Sequence, residues 1–149
     1  MTLKIGIVGA TGNVGREMLS ILAEKGFKSE NIFPIASSRS EGMKVSFGES
    51  EIVVSSLEKF NPKEIQIALF SAGGKTSKEW APKFAKNGCI VIDNSSTWRM
   101  DAQKKLIIPE INANILNSQD KIIANPNCST IQLLIAIAPI PVSYTHLTL

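Results

Sequence analysis

Leu3-Lys4-Ile5-Gly6-Ile7-Val8-Gly9-Ala10-Thr11-Gly12-Asn13-Val14-Gly15 is the stretch that decides the fold. Leu3 to Val8 is a short apolar strand. It runs directly into glycines spaced G-x-x-G-x-x-G, and Arg16 to Lys25 follows with Met18, Leu19 and Leu22 at helical spacing. Strand, glycine loop and helix in this order open a dinucleotide-binding α/β unit: the glycines permit a tight turn and close approach of the backbone to a pyrophosphate, which rests on the helix N-terminus. The first two glycines are one residue further apart than in the usual fingerprint. The pattern alone is weak, and its weight comes from opening a helix straight after an N-terminal strand.

Working outward, the next strand spans Asn31 to Ala36 and ends in Ser37-Ser38-Arg39-Ser40, roughly twenty residues past the glycine loop. An NAD enzyme places an acidic residue there, on the ribose 2′-hydroxyl. This chain has none. Arg39 flanked by hydroxyls suits a 2′-phosphate instead, so NADP is favoured over NAD. Met43 to Phe47 and Glu51 to Val54 read as short strands about Gly48, and Glu64 to Phe70 reads as another. That last strand stops at Ser71-Ala72-Gly73-Gly74 before a helical stretch, Lys78 to Asn87. In a parallel sheet this edge faces the ligand crevice, so Ser71, Ala72 and Gly73 are expected near the cofactor. Gly88 closes the helix, and Cys89 to Asp93 forms a buried strand with Cys89 in the core. The expected class is α/β, a Rossmann-like, mostly parallel sheet with helices on both faces.

Composition narrows the function. One domain is the prior for 149 residues, and 44% hydrophobic with 19% charged residues describes a globular chain. The net charge of +3 is mild and its lysines are scattered among acids, so nucleic acid is a poor partner. No apolar run is long enough to span a membrane, no signal peptide is visible, and the two cysteines have no metal-ligand spacing. No metal is expected, and free thiols in a reducing cytoplasm are the default.

The second informative stretch is Ala124-Asn125-Pro126-Asn127-Cys128-Ser129-Thr130-Ile131-Gln132. An apolar run, Ile122 to Ala124, enters a Pro-containing turn, and Cys128 follows where helical spacing begins. A thiol at a helix N-terminus is favoured as thiolate by the macrodipole and the unpaired N–H groups, which can also stabilise an oxyanion. Ser129 and Thr130 can cap or donate in the first turn, and Gln132 shares the Cys128 face. Cys128 is a candidate nucleophile; a small buried hydrophobe is the alternative. Asn94 to Met100 is a polar loop whose Arg99 could hold a phosphate or carboxylate, or form a surface ion pair. Leu106 to Asn112 and Lys121 to Asn125 read as extended about a helical turn at Ala113 to Asn117, and Ile131 to Ala138 as a core helix. From Pro141 the pattern fails: residues 141–149, with the chain's only histidine, His146, look foreign to the domain spanning residues 1–140.

Taken in order, Gly9 to Gly15, Ser38-Arg39-Ser40, Ser71 to Gly74, Asp93 to Ser96 with Arg99-Met100, Pro109 to Asn112 and Asn125 to Gln132 closely resemble the N-terminal half of the aspartate-semialdehyde dehydrogenase family. The resemblance implies an NADP-dependent, cytoplasmic homodimeric enzyme of lysine, threonine and methionine biosynthesis. Its substrates would be small molecules: aspartyl phosphate, aspartate semialdehyde and phosphate. By position, Thr11, Gly12, Asn13 and Val14 would bind the pyrophosphate region, Arg39 and Ser40 the 2′-phosphate, and Arg99 the substrate phosphate. Cys128 would be the nucleophile, with Asn127 beside the oxyanion. The family continues into a substrate and dimerisation domain carrying a catalytic histidine. That domain is not expected in this chain, and His146 does not match it, so the chain alone is expected to be inactive. The related acylphosphate reductase of arginine synthesis, N-acetyl-gamma-glutamyl-phosphate reductase, is the enzymatic alternative; it would carry Gly-Cys-Tyr where Asn127-Cys128-Ser129 stands. A non-catalytic NADP-binding module is the other.

Overall fold

The structure is a computed structural model that describes residues 3–139. Residues 141–149 and His146 lie outside the described residues. The glycine motif folds as its sequence requires: β1 (Ile5–Val8) feeds the turn and α1 (Asn13–Glu24) leaves it. α1 starts earlier than the apolar spacing suggested, because Asn13 to Gly15 already belong to its first turn. β2 (Ile32–Ala36) then pairs in parallel with β1, Ile5 opposite Ile32 and Val8 opposite Ile35. β3 (Lys44–Phe47) and β4 (Ser50–Val53) form a separate antiparallel hairpin. After β5 (Ser55–Ser56) the chain crosses to the other side of β1, where β6 (Ile67–Phe70) pairs Ile5 with Ile67. β6 is shorter than expected because Pro62–Glu64 is a 3-10 turn capped by Asn61. α2 (Gly74–Lys86) leads to β7 (Ile90–Asp93). β8 (Lys105–Leu106), α3 (Pro109–Asn112), β9 (Ile122–Ala124) and α4 (Cys128–Ile137) complete the order.

The main sheet runs β5-β2-β1-β6-β7-β9-β8, with each neighbouring pair parallel. β1 is where the strand order reverses, and its neighbours β2 and β6 diverge to opposite sides, which opens a crevice at their carboxyl ends. Helices cover both faces. Alternate residues of β6 show this: Ala68 and Phe70 join the core beneath α2 with Ala81 and Phe84, whereas Leu69 packs with Leu19 of α1 on the opposite side. Phe70 stands edge-on to Phe84 at 5.2 Å between ring centroids, a geometry the aromatic quadrupole favours.

Two expectations need correction. Leu106 to Asn112 is not extended throughout. Pro109 starts α3, since its fixed φ is preorganised for a first helical position and the N–H it lacks would have had no helical partner. The expected turn at Ala113 to Asn117 shrinks to a 3-10 turn, Ala113–Ile115. The apolar run from Ile131 to Ala138 is helical but not a core helix: α4 has no buried residue, and Leu133 is 60% exposed. Helical spacing reports the element; only the surrounding fold decides what covers it.

Candidate active site

In the crevice, geometry is set by backbone contact. Gly9 has φ +94°, a conformation L side chains rarely adopt, and a Cβ there would lie 2.5 Å from the Ser71 carbonyl oxygen. A Cβ on Gly15 would lie 2.2 Å from the Gly9 oxygen. Gly9 and Ala10 N–H groups both donate to Ile35 O, at 2.8 and 3.2 Å, which ties the turn to β2. Gly12 is the N-cap of α1 and carries no side chain to satisfy the first turn, so its orphan N–H groups are available to an anion. The result is a cleft of about 570 Å³ walled by Gly9, Thr11, Gly12, Arg39, Ser71 and Ala72. Asn13, Val14, Ser40 and Gly73 adjoin this wall rather than line it; Ser40 donates its N–H to Ser37 O at 2.9 Å within a 3-10 turn.

Sequence reasoning missed part of the wall. Glu58, just past β5, and Lys75, Thr76 and Trp80 of α2 also line the cleft. Lys75 and Thr76 were hidden because α2 begins at Gly74, a turn before the expected Lys78. Glu58 gave no local signal, since β5 has two residues and its neighbourhood is made by strand pairing.

Further along the same carboxyl edge, the loop after β7 is built from polar side chains. Asp93, at the end of β7, is 1% exposed and forms no salt bridge among the described residues, yet a buried carboxylate must be satisfied. The Ser95 N–H donates to it at 2.9 Å and the Ser95 hydroxyl at 2.7 Å, and the Ser77 hydroxyl of α2 donates as well. Trp98 Nε1 donates in turn to Ser77 Oγ at 2.8 Å, and Thr97 Oγ1 to Gly74 O at 3.1 Å. The loop after β7 is thereby stitched to the first turns of α2, whose other residues line the cleft.

Arg99 is the next stitch. Its Nε donates to Asn125 O at 3.0 Å and its Nη2 to Asn94 O at 2.9 Å, while Asn125 Nδ2 donates to Asn94 Oδ1 at 2.9 Å. Arg99 is therefore half-buried and bridges the loops after β7 and β9, not a surface ion pair. A guanidinium has more N–H donors than these two bonds use, which leaves it able to hold an anion beside the loop that leads to Cys128.

Cys128 is the first residue of α4 and is exposed. The cap is Asn127, and of the two roles open to Ser129 it takes the donor's: Asn127 Oδ1 accepts from the Ser129 N–H at 3.0 Å. A side-chain acceptor one residue before the helix reaches that N–H more directly than a residue inside the turn. The Cys128 Sγ lies 3.9 Å from the same oxygen. Cys89 is the opposite case, fully buried, and burial pushes its thiol up to about 12. Because β1, β6, β7 and β9 are consecutive neighbours in a parallel sheet, the loops that lead to Gly9 and Cys128 leave the same carboxyl edge, from strands three spacings or about 14 Å apart. Cys128 is not part of the cleft wall at the glycine turn. Among the described residues there is no cluster suited to a metal and no helix long and apolar enough to cross a membrane.

Comparisons with known proteins agree with this arrangement. The family described as "Semialdehyde dehydrogenase, NAD binding domain" matches residues 4–119. Aspartate-semialdehyde dehydrogenase of Aquifex aeolicus is 54% identical over 143 residues, covering 94% of this chain and 42% of that protein. The Bacillus subtilis protein of the same name is 44% identical over 142 residues, 41% of its length. This chain thus spans about two fifths of the curated relatives it matches. The crystal structure of aspartate semialdehyde dehydrogenase II complexed with ASA from Vibrio cholerae superposes with a TM-score of 0.88 at 44% identity, over 94% of this chain and 46% of that one. With its matched segment running from the strand before the glycine turn past α3, the chain belongs to the semialdehyde dehydrogenase family and carries that family's nicotinamide-dinucleotide-binding domain.

Proposed function

We propose that this chain is the cofactor and nucleophile portion of an NADP-dependent aspartate-semialdehyde dehydrogenase, interconverting aspartyl 4-phosphate and aspartate 4-semialdehyde in the cytoplasm. The observation that carries the reading is an exposed Cys128 opening α4, with Arg99 tying the loop that leads to it to the loop after β7. The names of the relatives support the substrate, and Asn127-Cys128-Ser129 favours this enzyme over the arginine-pathway reductase. Arg39 in the cleft wall, with Ser37 beside it, supports a 2′-phosphate and therefore NADP.

The glycine cradle fits such a dinucleotide. Gly9 and Gly15 let the turn pack backbone against backbone with no side chain of their own in the way, and the orphan N–H groups of α1 would hold the pyrophosphate. When bound, NADPH supplies hydride to the acyl carbon. The remaining chemistry falls to the chain's own groups. Cys128 Sγ attacks the acyl-phosphate carbonyl, a C–S bond forms as the C–O bond to phosphate breaks, and Arg99 would hold the departing phosphate. The first-turn N–H groups of α4 would stabilise the oxyanion at this step and again when the thioester is reduced and the sulfur leaves as thiolate. Asn127 fixes that turn by capping it. The acid/base histidine and the dimer contacts belong to a further domain in this reading, so residues 1–140 bind cofactor without turning over.

The test uses Cys128→Ala in a chain extended to the length of its relatives. Phosphate-dependent oxidation of aspartate semialdehyde should be lost while NADPH affinity stays within about twofold, because the sulfur contributes to the acyl step alone. Retained turnover, or loss of cofactor affinity in parallel, contradicts the proposed role.

A further inference from the structure

The end of β2 has no acidic residue of its own, yet the fold brings one to it from the next strand. β5 pairs in parallel with β2, Ile35 opposite Ser55 and Ala36 opposite Ser56, and the Leu57 N–H donates to Ala36 O at 2.7 Å. Glu58 therefore leaves the sheet beside Ser37 to Arg39 and lines the same cleft as Arg39. Its carboxylate is fixed: the hydroxyl of Ser56, a residue only 1% exposed, donates to Oε2 at 2.6 Å. That bond, its own backbone N–H and the Ser38 N–H hold the Glu58 carboxyl below the usual carboxylate range. The adjacent Lys59 is occupied by Glu41, at 2.8 and 2.9 Å, and Arg39 and Glu58 form no ion pair with each other.

We infer that Glu58 sets the choice between the two nicotinamide dinucleotides: its carboxylate accepts hydrogen bonds from an unmodified adenosine ribose, while Arg39 on the same wall takes a 2′-phosphate. The inference rests on the cofactor reading of the cleft. A 2′-phosphate is drawn to Arg39 and repelled by Glu58, whereas a free 2′-hydroxyl gains a charged acceptor at Glu58 and loses nothing essential at Arg39. The cleft therefore binds NADH as well as NADPH, and its preference is a balance of two opposed charges rather than an exclusion.

The experiment titrates the chain with NADPH and, separately, NADH, following quenching of Trp80, which lines the cleft. The wild-type chain should bind both saturably. Glu58 is exposed, so Glu58→Gln should keep the fold, weaken NADH by about tenfold and tighten NADPH severalfold, as expected for removing a charged acceptor and a like charge. Arg39→Ala should move the ratio the opposite way. Ser56→Ala, which keeps the carboxylate but frees it, should shift the ratio in the Glu58→Gln direction by less. A ratio unchanged within about twofold in Glu58→Gln, with wild-type binding intact, overturns the inference alone. Absence of saturable binding of either dinucleotide by the wild-type chain overturns the cofactor reading and this inference together.

Discussion

Two regions at the carboxyl edge of the sheet, the glycine turn and the start of α4, are held in different ways. At the glycine turn the main chain packs against itself, and Gly9 and Gly15 leave no room for a single added carbon. At the Cys128 end the loops are sewn together by side chains: Arg99 across two carbonyls, Asn125 on Asn94, Asn127 on the first turn of α4. Beneath the first, α1 buries Leu19; at the second, α4 buries nothing. A rigid backbone cradle suits a ligand that must always sit in one place, whereas a stitched, uncovered helix start suits a group that must be reached. The two cysteines repeat the contrast, one sealed behind β7 and one presented.

The largest expected effect separates those thiols. Iodoacetamide at neutral pH should alkylate the exposed Cys128 faster than Cys89 in the folded chain, by roughly a hundredfold or more, because Cys89 is buried and its thiol is raised. Comparable rates, read by peptide mass spectrometry, would erase the distinction. Cys89 also predicts a pH dependence. Its thiol is raised from an ordinary value of 9.0 to about 12, so the folded state holds a proton that the unfolded state releases above pH 9. That contribution to stability is whole below pH 9 and is lost as pH rises toward 12. Urea melts of wild type and Cys89→Ala should therefore converge across that window.

Next in size is the glycine turn. Gly9→Ala meets both a positive φ and a backbone clash, and should destabilise by about 3 kcal/mol and abolish dinucleotide binding. Gly12→Ala, at an N-cap where Ala is disfavoured and with its Cβ 3.4 Å from the nearest neighbour, should cost about 1 kcal/mol or less in the same melts. Equal losses at the two positions would show that sterics do not shape this end. At the other end, Arg99→Ala removes two charge-assisted bonds and should cost about 2 kcal/mol, with Arg99→Lys recovering little because an ammonium lacks the fork that spans both carbonyls. Smaller than the Arg99 effect is Asn127→Ala, at about 1 kcal/mol for a lost N-cap, with Asn127→Ser nearly neutral.

What could be read from the sequence follows the same division. The glycine turn was legible because its cause is local: strand, turn and helix are contiguous, and the glycines carry the steric argument themselves. The start of α4 was legible for the same reason, apart from its cap. Arg99 remained ambiguous between anion holder and ion pair because its partners, Asn94 O and Asn125 O, are brought together only when β9 pairs with β7. Asp93, Ser77 and Trp98 form a network no spacing announces, and Glu58 reaches the cleft through a two-residue strand. The misreading of Ile131 to Ala138 as core has a plain cause. Apolar content measures what a helix would gain from a neighbour, not whether one is present.

The central claim is that these two unlike ends form one reaction site, and a crystal structure of the chain with NADPH tests it most directly through the distance from nicotinamide C4 to Cys128 Sγ. A hydride donor about 3.5 Å from an acyl carbon that is itself bonded to sulfur puts that distance near 5 Å. The account predicts this value, with the pyrophosphate on the first turn of α1. A nicotinamide turned away from α4, with its C4 more than about 10 Å from the sulfur, would contradict it.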